Sequence, residues 1–171
     1  MADPVIIVDY DPLWADMFSM LHDRIAESIS GLSNRIEHVG STSIRGAAAK
    51  PIIDIDLIVQ SSESVPKAIE LLGRSGYRYL GDLGIKGREA FESPAELPEH
   101  HLYVVVVGSS ECTRHLRFRD YMRSHRDEVK RYSELKKSLA KKFRNDREAY
   151  TEAKTEFIEE ILRRPTPSER T

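Results

Sequence analysis

Two carboxylates, separated by one residue, interrupt an apolar run in the first half of the chain. The run reads I-I-D-I-D-L-I-V over residues 52–59, and its acidic residues are Asp54 and Asp56. Side chains two apart in a β-strand share a face about 6.5 Å apart, whereas the apolar residues that alternate with them face the opposite way into a core. Two adjacent carboxylates repel each other unless a cation or a proton lies between them. The pattern therefore predicts a divalent metal site with Asp54 and Asp56 as its ligands.

A glycine and two hydroxyl residues, Gly40-Ser41-Thr42, follow a short strand pattern upstream of the aspartates. Glycine lets a ligand approach the backbone, and free N–H groups at a turn bind phosphate oxygens. Taken alone, this corner is better explained as a structural turn. A Gly-Ser corner followed 14 residues later by Asp-x-Asp on an adjacent strand resembles the arrangement of the nucleotidyltransferase fold.

The elements that must position these residues follow from hydrophobic periodicity. The order is helix, two strands, helix, further strands and then helices, which predicts an α+β fold: a small mixed β-sheet packed with helices, and a helical C-terminal half. A single domain over residues 1–164 and a flexible tail over 165–171 are expected. The predicted helices are 13–29, 66 to about 75, 111–124, 126–143 and 146–163, and the predicted strands are 36–40, 53–59, 77–80, 88–91 and 101–107, with 5–8 as an edge strand.

Composition limits the class of protein. Net charge is only −2, but residues 1–110 are acidic and residues 111–164 are basic, an arrangement expected for binding a metal-chelated polyphosphate rather than bulk nucleic acid. The single cysteine, Cys112, suits a reducing cytoplasm. Neither a signal peptide nor a membrane-spanning run is recognisable in the sequence, so a cytoplasmic location without membrane contact is expected.

Two Tyr-x-x-x-Lys pairs lie on the last two predicted helices, Tyr132/Lys136 and Tyr150/Lys154. Helical spacing places each lysine within the apolar stripe of its helix. A lysine turned toward the interior needs an anionic partner, or it extends its charged end to solvent at the edge of the stripe. Two such pairs facing an acidic half favour a phosphate- or substrate-binding wall.

The chain resembles the GrpB family, a poorly characterised branch of the nucleotidyltransferase superfamily, over nearly its whole length. The residues that carry the resemblance are Y-D-P-L-W at 10–14, H-V-G-S-T-S-I at 38–44, K-P-I-I-D-I-D at 50–56, H-L-Y-V-V at 101–105, F-R-D-Y-M-R at 118–123 and the two Tyr-x-x-x-Lys pairs.

Site residues follow from this resemblance. It implies that Gly40, Ser41 and Thr42 hold a nucleoside triphosphate, and that Asp54 and Asp56 hold Mg²⁺, with Mn²⁺ as the alternative. Lys50, Lys136, Tyr150 and Lys154 would complete the nucleotide site. Arg88, after a glycine-rich loop, is a further candidate phosphate clamp. The implied reaction moves a nucleoside monophosphate onto a small-molecule acceptor.

One departure from the superfamily pattern concerns the strand over residues 101–107. Active members place a third carboxylate there, whereas this chain presents His101 and Tyr103 on one face. His101 is the candidate ligand or base. A second hypothesis is therefore a nucleotide- or phosphometabolite-binding module without catalysis; RNA binding through the arginines of residues 114–126 is the least favoured third. The other histidines show no zinc spacing.

Overall fold

The computed structural model describes residues 4–32 and 34–165 and contains five helices and five strands within those ranges. The helices are α1 (Leu13–Ser28), α2 (Val65–Arg74), α3 (Ser110–Arg123), α4 (Arg126–Lys142) and α5 (Arg147–Leu162). The strands are β1 (Asn34–Val39), β2 (Ile53–Val59), β3 (Arg78–Gly81), β4 (Arg88–Glu92) and β5 (His100–Val106). Every predicted helix, and every predicted strand except 5–8, has its counterpart here.

The five strands form one mixed sheet in the order β1-β2-β5-β4-β3. β2 and β5 are parallel neighbours at its centre, and the other neighbours are antiparallel. The predicted α+β class, with a small mixed sheet and a helical C-terminal half, is confirmed.

Two large apolar clusters lie among the helices, and one of them also contains strand residues. Helices α1 and α2 pack on one side through a cluster that includes Leu21, Ile25 and Leu72 together with the inward residues of β2. The C-terminal helices form a separate cluster around Met122, which also takes in Ile44 from the segment between β1 and β2. The site lies between the sheet and these C-terminal helices.

Aspartate side chains accept backbone hydrogen bonds at the starts of α1 and α5. Oδ1 of Asp11 accepts a hydrogen bond from Leu13 N at the start of α1, and Oδ1 of Asp146 accepts one from Ala149 N at the start of α5. Such caps satisfy amide groups that the first helical turn leaves unpaired. The cap at Asp146 marks the start of α5, after the end of α4 at Lys142.

Residues 5–8 do not form the predicted edge strand. The segment makes one isolated antiparallel bridge, Val8 with Ala49, because its partner is a short stretch of loop rather than a strand. Of the expected flexible tail, residues 166–171 lie outside the described ranges. No helix in the described residues is long and apolar enough to cross a membrane.

Candidate functional site

Asp54 and Asp56 lie on β2, on the sheet face that the C-terminal helices cover. In the parallel pair with β5, Asp54 is opposite His101 and Asp56 is opposite Tyr103. The side chain of Asp54 is 30% exposed, whereas that of Asp56 is fully buried at 0%. The alternation expected from the sequence is therefore present, and the two carboxylates sit at different depths of one site.

Each aspartate is hydrogen-bonded to a histidine. His101 Nδ1 lies 2.8 Å from Oδ1 of Asp54, and His115 Nδ1 lies 2.8 Å from Oδ2 of Asp56. His115 comes from α3, where its Nε2 also lies 3.5 Å from Oε2 of Glu111. Sequence reasoning missed His115 because its partner is 59 residues away; the i, i+4 spacing of Glu111 and His115 was the available signal.

Burial and charge set the ionisation of this pair. Desolvation raises the pKa of Asp56, and the hydrogen bond from His115 opposes that rise. Burial alone would lower the pKa of His115, but the hydrogen bond to Asp56 and the charges of Asp56 and Glu111 raise it. The hydrogen bond therefore holds His115 against a fully buried carboxylate, beneath the partly exposed Asp54.

The carboxylates have the donor chemistry that a hard cation requires. Oδ1 of Asp56 is buried without a hydrogen-bond partner, which is the orphaned oxygen expected at an incomplete coordination site. Within residues 4–32 and 34–165, no group of three or more His, Cys, Asp or Glu side chains is arranged to hold a metal. Mg²⁺ commonly binds through one or two carboxylates, with phosphate and water completing its octahedron. Asp54 and Asp56 fit that mode.

The Gly40 corner lies directly against Asp54. Gly40 has φ +70°, and a Cβ there would lie 2.9 Å from Cγ of Asp54 and closer still to Oδ2. A 3₁₀ turn, Ser41–Ser43, follows. Thr42 is buried, and its hydroxyl lies 2.9 Å from Nε2 of His38. Glycine is required here because its bare backbone makes room for the carboxylate.

A cleft of about 360 Å³ opens beside this corner. It brings together nearly all of the predicted site residues and adds Arg147, which sequence reasoning did not single out. Asp56 and Gly40 lie behind its surface, next to Asp54. The polar and charged residues that line the cleft are Ser41, Thr42, Lys50, Asp54, Arg88, His101, Tyr103, Lys136, Arg147, Tyr150, Thr151 and Lys154.

Four of these residues, Lys50, Lys136, Arg147 and Lys154, are called the cationic wall below. Lys136 is only 2% exposed; its Nζ donates to Ser41 Oγ at 2.8 Å and to the carbonyl oxygen of Ala48. Nζ of Lys154 and Nζ of Lys50 lie 4.5 and 4.8 Å from the centroid of the Tyr150 ring. Lys136 therefore holds the Ser41 turn from beneath, while Lys50 and Lys154 share one aromatic ring.

Burial perturbs the lysines of this wall. Desolvation, with the charge of Lys154, lowers the pKa of Lys136 to about 7. Desolvation, with the charge of Lys50, lowers the pKa of Lys154 to about 8. Burial and repulsion between neighbouring lysines both disfavour the charged ammonium form. A bound polyanion would raise the pKa values of these lysines and so restore their charge.

The nearest further carboxylate on the sheet is engaged elsewhere. Glu37 on β1 is paired in register with Asp56, but its Oε2 accepts a hydrogen bond from Nη1 of Arg119 at 2.6 Å. Arg119 is itself buried and also donates to the carbonyl oxygen of His38. Glu37 thus anchors α3 to the sheet, and His101 and Tyr103 remain the side chains that β5 presents beside the aspartates.

Comparisons with known proteins agree over nearly the whole chain. The family model described as GrpB protein matches residues 4–164. The glutamate-rich protein GrpB of Alkalihalophilus pseudofirmus is 37% identical over 92% of this chain and 94% of its own length. The UPF0157 protein YqkA of Bacillus subtilis is also 37% identical, over 90% of this chain, although the chain spans only 45% of YqkA.

Solved structures show the same relationship. The crystal structure of the conserved protein GrpB from Enterococcus faecalis superposes with a TM-score of 0.81 at 32% identity, covering 91% of this chain and 94% of that one. The Cid1 poly(U) polymerase matches with a TM-score of 0.49 at 13% identity over 75% of this chain and 45% of that one, too weakly to support an argument. On the family model, the curated relatives and the superposed crystal structure together, the chain belongs to the GrpB family.

Proposed function

We propose that this protein is a Mg²⁺-dependent nucleotidyltransferase that moves a nucleoside monophosphate from a nucleoside triphosphate to a small-molecule acceptor. The observation that carries the proposal is the meeting of Gly40-Ser41, Asp54 and the cationic wall around one cleft. A triphosphate needs many cationic contacts and backbone amides, whereas its divalent cation needs carboxylates. Nucleoside triphosphate and acceptor are its partners, and the cytoplasm, where both substrates occur, is its location.

The roles of the residues follow from their positions. The backbone amides of Ser41 and Thr42 and the cationic wall would bind the β- and γ-phosphates; the Ser43 amide already donates to the carbonyl oxygen of Gly40. Asp54 and Asp56 would hold Mg²⁺, or Mn²⁺ in its place. When bound, the cation supplies charge stabilisation at the α-phosphate.

His101 is the candidate base of the transfer. Its Nδ1 is hydrogen-bonded to Asp54, which leaves Nε2 to accept the proton of an acceptor amine or hydroxyl. The acceptor heteroatom forms a bond to the α-phosphorus, and the bond between that phosphorus and the bridging oxygen breaks. Pyrophosphate leaves toward the cationic wall, which is placed to neutralise its charge.

One observation favours a second candidate, a nucleotide-binding module without turnover. β5 carries no carboxylate, and the nearby Glu37 is engaged by Arg119. Binding would then use the same cleft, without a completed metal cage.

The two candidates separate in a paired measurement. Calorimetry with each nucleoside triphosphate and MgCl₂ tests binding, and release of pyrophosphate in the presence of a metabolite extract tests transfer. Transfer predicts pyrophosphate that depends on both nucleotide and extract and that disappears in Asp54→Ala. Nucleotide binding that Asp54→Ala abolishes, without pyrophosphate from any extract, would support the binding module. Absence of binding by every nucleotide would refute both.

A further inference from the structure

Each aspartate of the site has one of its two oxygens occupied by an imidazole. Asp54 gives Oδ1 to His101 and Asp56 gives Oδ2 to His115, each at 2.8 Å. The oxygens that remain are Oδ2 of Asp54, next to Gly40, and Oδ1 of Asp56, which is buried without a hydrogen-bond partner. Each imidazole therefore occupies one oxygen of its aspartate and leaves the other oxygen of that carboxylate outside the pair.

The two histidines are held in place by their own neighbours. Nε2 of His115 lies 3.5 Å from Oε2 of Glu111 on the same helix. The Tyr103 ring stands between the two imidazoles, with centroid distances of 6.3 Å to His101 and 6.1 Å to His115. The guanidinium of Arg88 covers that ring at 4.6 Å. Both imidazoles therefore have the Tyr103 ring as a neighbour.

We propose that His101 and His115 are positioning residues that restrict Asp54 and Asp56 to one oxygen each and so select a small octahedral cation over Ca²⁺. Ca²⁺ takes six to eight oxygen ligands and readily accepts both oxygens of a carboxylate, whereas Mg²⁺ prefers about six ligands at shorter distances. Outer hydrogen bonds of this kind orient metal ligands and tune the metal that they hold. The inference rests on the proposed function, because it requires a divalent cation at the aspartate pair.

The test measures cation selectivity rather than turnover. Binding of MnCl₂ is followed by the electron paramagnetic resonance signal of free Mn²⁺, and MgCl₂ or CaCl₂ is then added as a competitor. In the unaltered protein, Mg²⁺ should displace Mn²⁺ at lower concentration than Ca²⁺. In His101→Ala and His115→Ala, the affinity for Mg²⁺ should fall about tenfold or more. The affinity for Ca²⁺ should fall less, because a second carboxylate oxygen becomes available to it.

Two further variants serve as controls. His115→Asn retains a donor near the position of Nδ1 and should keep the preference for Mg²⁺. His22→Ala removes another histidine paired with an aspartate, at 3.0 Å from Asp23 and 42% exposed, and should leave selectivity unchanged. If His115→Ala does not fold, His101→Ala carries the measurement.

The outcomes distinguish the inference from the proposal beneath it. An equal loss of Mg²⁺ and Ca²⁺ affinity in both alanine variants would show that the histidines only support the structure, and would overturn the inference alone. Failure of the unaltered protein to bind Mn²⁺, with or without a non-hydrolysable ATP analogue, would overturn the inference and the metal-dependent function together.

Discussion

Gly40 lies so close to the carboxylate of Asp54 that position 40 has no room for a side chain. A Cβ at this position would lie 2.9 Å from Cγ of Asp54, and the backbone has φ +70°. The glycine that begins the candidate phosphate-binding corner is thus also the residue that makes room for the partly exposed Asp54. Sequence reasoning assigns the first role, and only the structure reveals the second.

Gly40→Ala should therefore damage both stability and binding. Backbone strain at a positive φ costs on the order of 1–3 kcal/mol, and displacement of Asp54 adds to it. Gly46→Ala is the matched control, since Gly46 has φ +85° but nothing within 4 Å of an added Cβ. Chemical denaturation and Mn²⁺ binding measure the two effects. Equal losses in both variants would mean that the contact with Asp54 is unimportant.

Asp56→Asn should weaken cation binding strongly while leaving the melting temperature unchanged or slightly raised. Burial raises the pKa of Asp56, so its ionised form is held at a cost that the amide does not incur. The amide oxygen can still accept the hydrogen bond of His115. Calorimetry with MnCl₂ and a thermal melt provide the two readouts, with Asp16→Asn on the exposed side of α1 as the control. A melting temperature lowered by several degrees would identify the aspartate as structural.

Triphosphate binding should weaken as pH rises through the interval from about 7 to about 8. The pKa of Lys136 is lowered to about 7 and that of Lys154 to about 8, so both lose charge there. Asp54, Lys50 and Arg147 also face Lys154. Lys154→Met should reduce the affinity for inorganic triphosphate and move the remaining transition to higher pH, because Lys136 loses a cationic neighbour. Calorimetry across pH 6–9 tests this, with Lys130→Met on the exposed side of α4 as control.

The free energy of unfolding of the ligand-free protein should instead increase with pH, and over a wider pH range. Unfolded lysines keep their protons up to about pH 10.4, so above about pH 7 the unfolded chain binds more protons than the folded one. Stability therefore rises with pH in that interval. Urea denaturation at successive pH values measures the slope, which should be shallower in Lys154→Met. An equal slope in that variant would contradict the lowered pKa values.

Acid should destabilise the protein through His38. Burial, with the charge of Arg123, lowers the pKa of His38 to about 4 despite the opposing charge of Asp54. Between about pH 6.5 and 4 the unfolded chain binds the extra proton, so stability falls as pH falls. The loss attributable to this group is on the order of 3 kcal/mol at most.

His38→Gln provides the test of that assignment. Glutamine retains a donor for the hydroxyl of Thr42 but does not titrate, so the dependence of the unfolding free energy on pH should flatten between pH 4 and 6.5. His22→Gln, on the exposed side of α1, should keep the slope of the unaltered protein. A slope that persists in His38→Gln would assign the acid sensitivity to other groups.

Local patterns predicted the secondary structure of this chain well. The alternation of residues 52–59 identified β2 and the shared face of its aspartates, and the i, i+4 stripe through Tyr150, Lys154 and Ile161 identified α5. The predicted edge strand over residues 5–8 was wrong, because a short apolar run has no periodicity that distinguishes a strand from an irregular segment packed against a helix.

The candidate site was only partly predictable, because several of its contacts join distant segments. His115 and Arg147 reach the site from helix starts and faces whose orientation depends on packing between helices and sheet. The occupation of Glu37 by Arg119 likewise depends on how α3 crosses β1. Spacing along a sequence does not show how a helix crosses a sheet. Motifs within one loop or one strand, such as Gly40-Ser41 and Asp54-x-Asp56, can be recognised in the sequence directly.

The segment that follows Gly40 joins two separately packed cores. The segment begins where β1 ends, and its residues Ile44 and Ala47 are buried among the C-terminal helices. Lys136 of α4 donates hydrogen bonds to Ser41 and Ala48 of the same segment. A polyanion bound to this segment would depend on residues that both cores hold in place. Separation of the helices from the sheet would therefore weaken its binding. Ligand binding and the packing of the helices on the sheet should therefore be thermodynamically coupled, each strengthening the other.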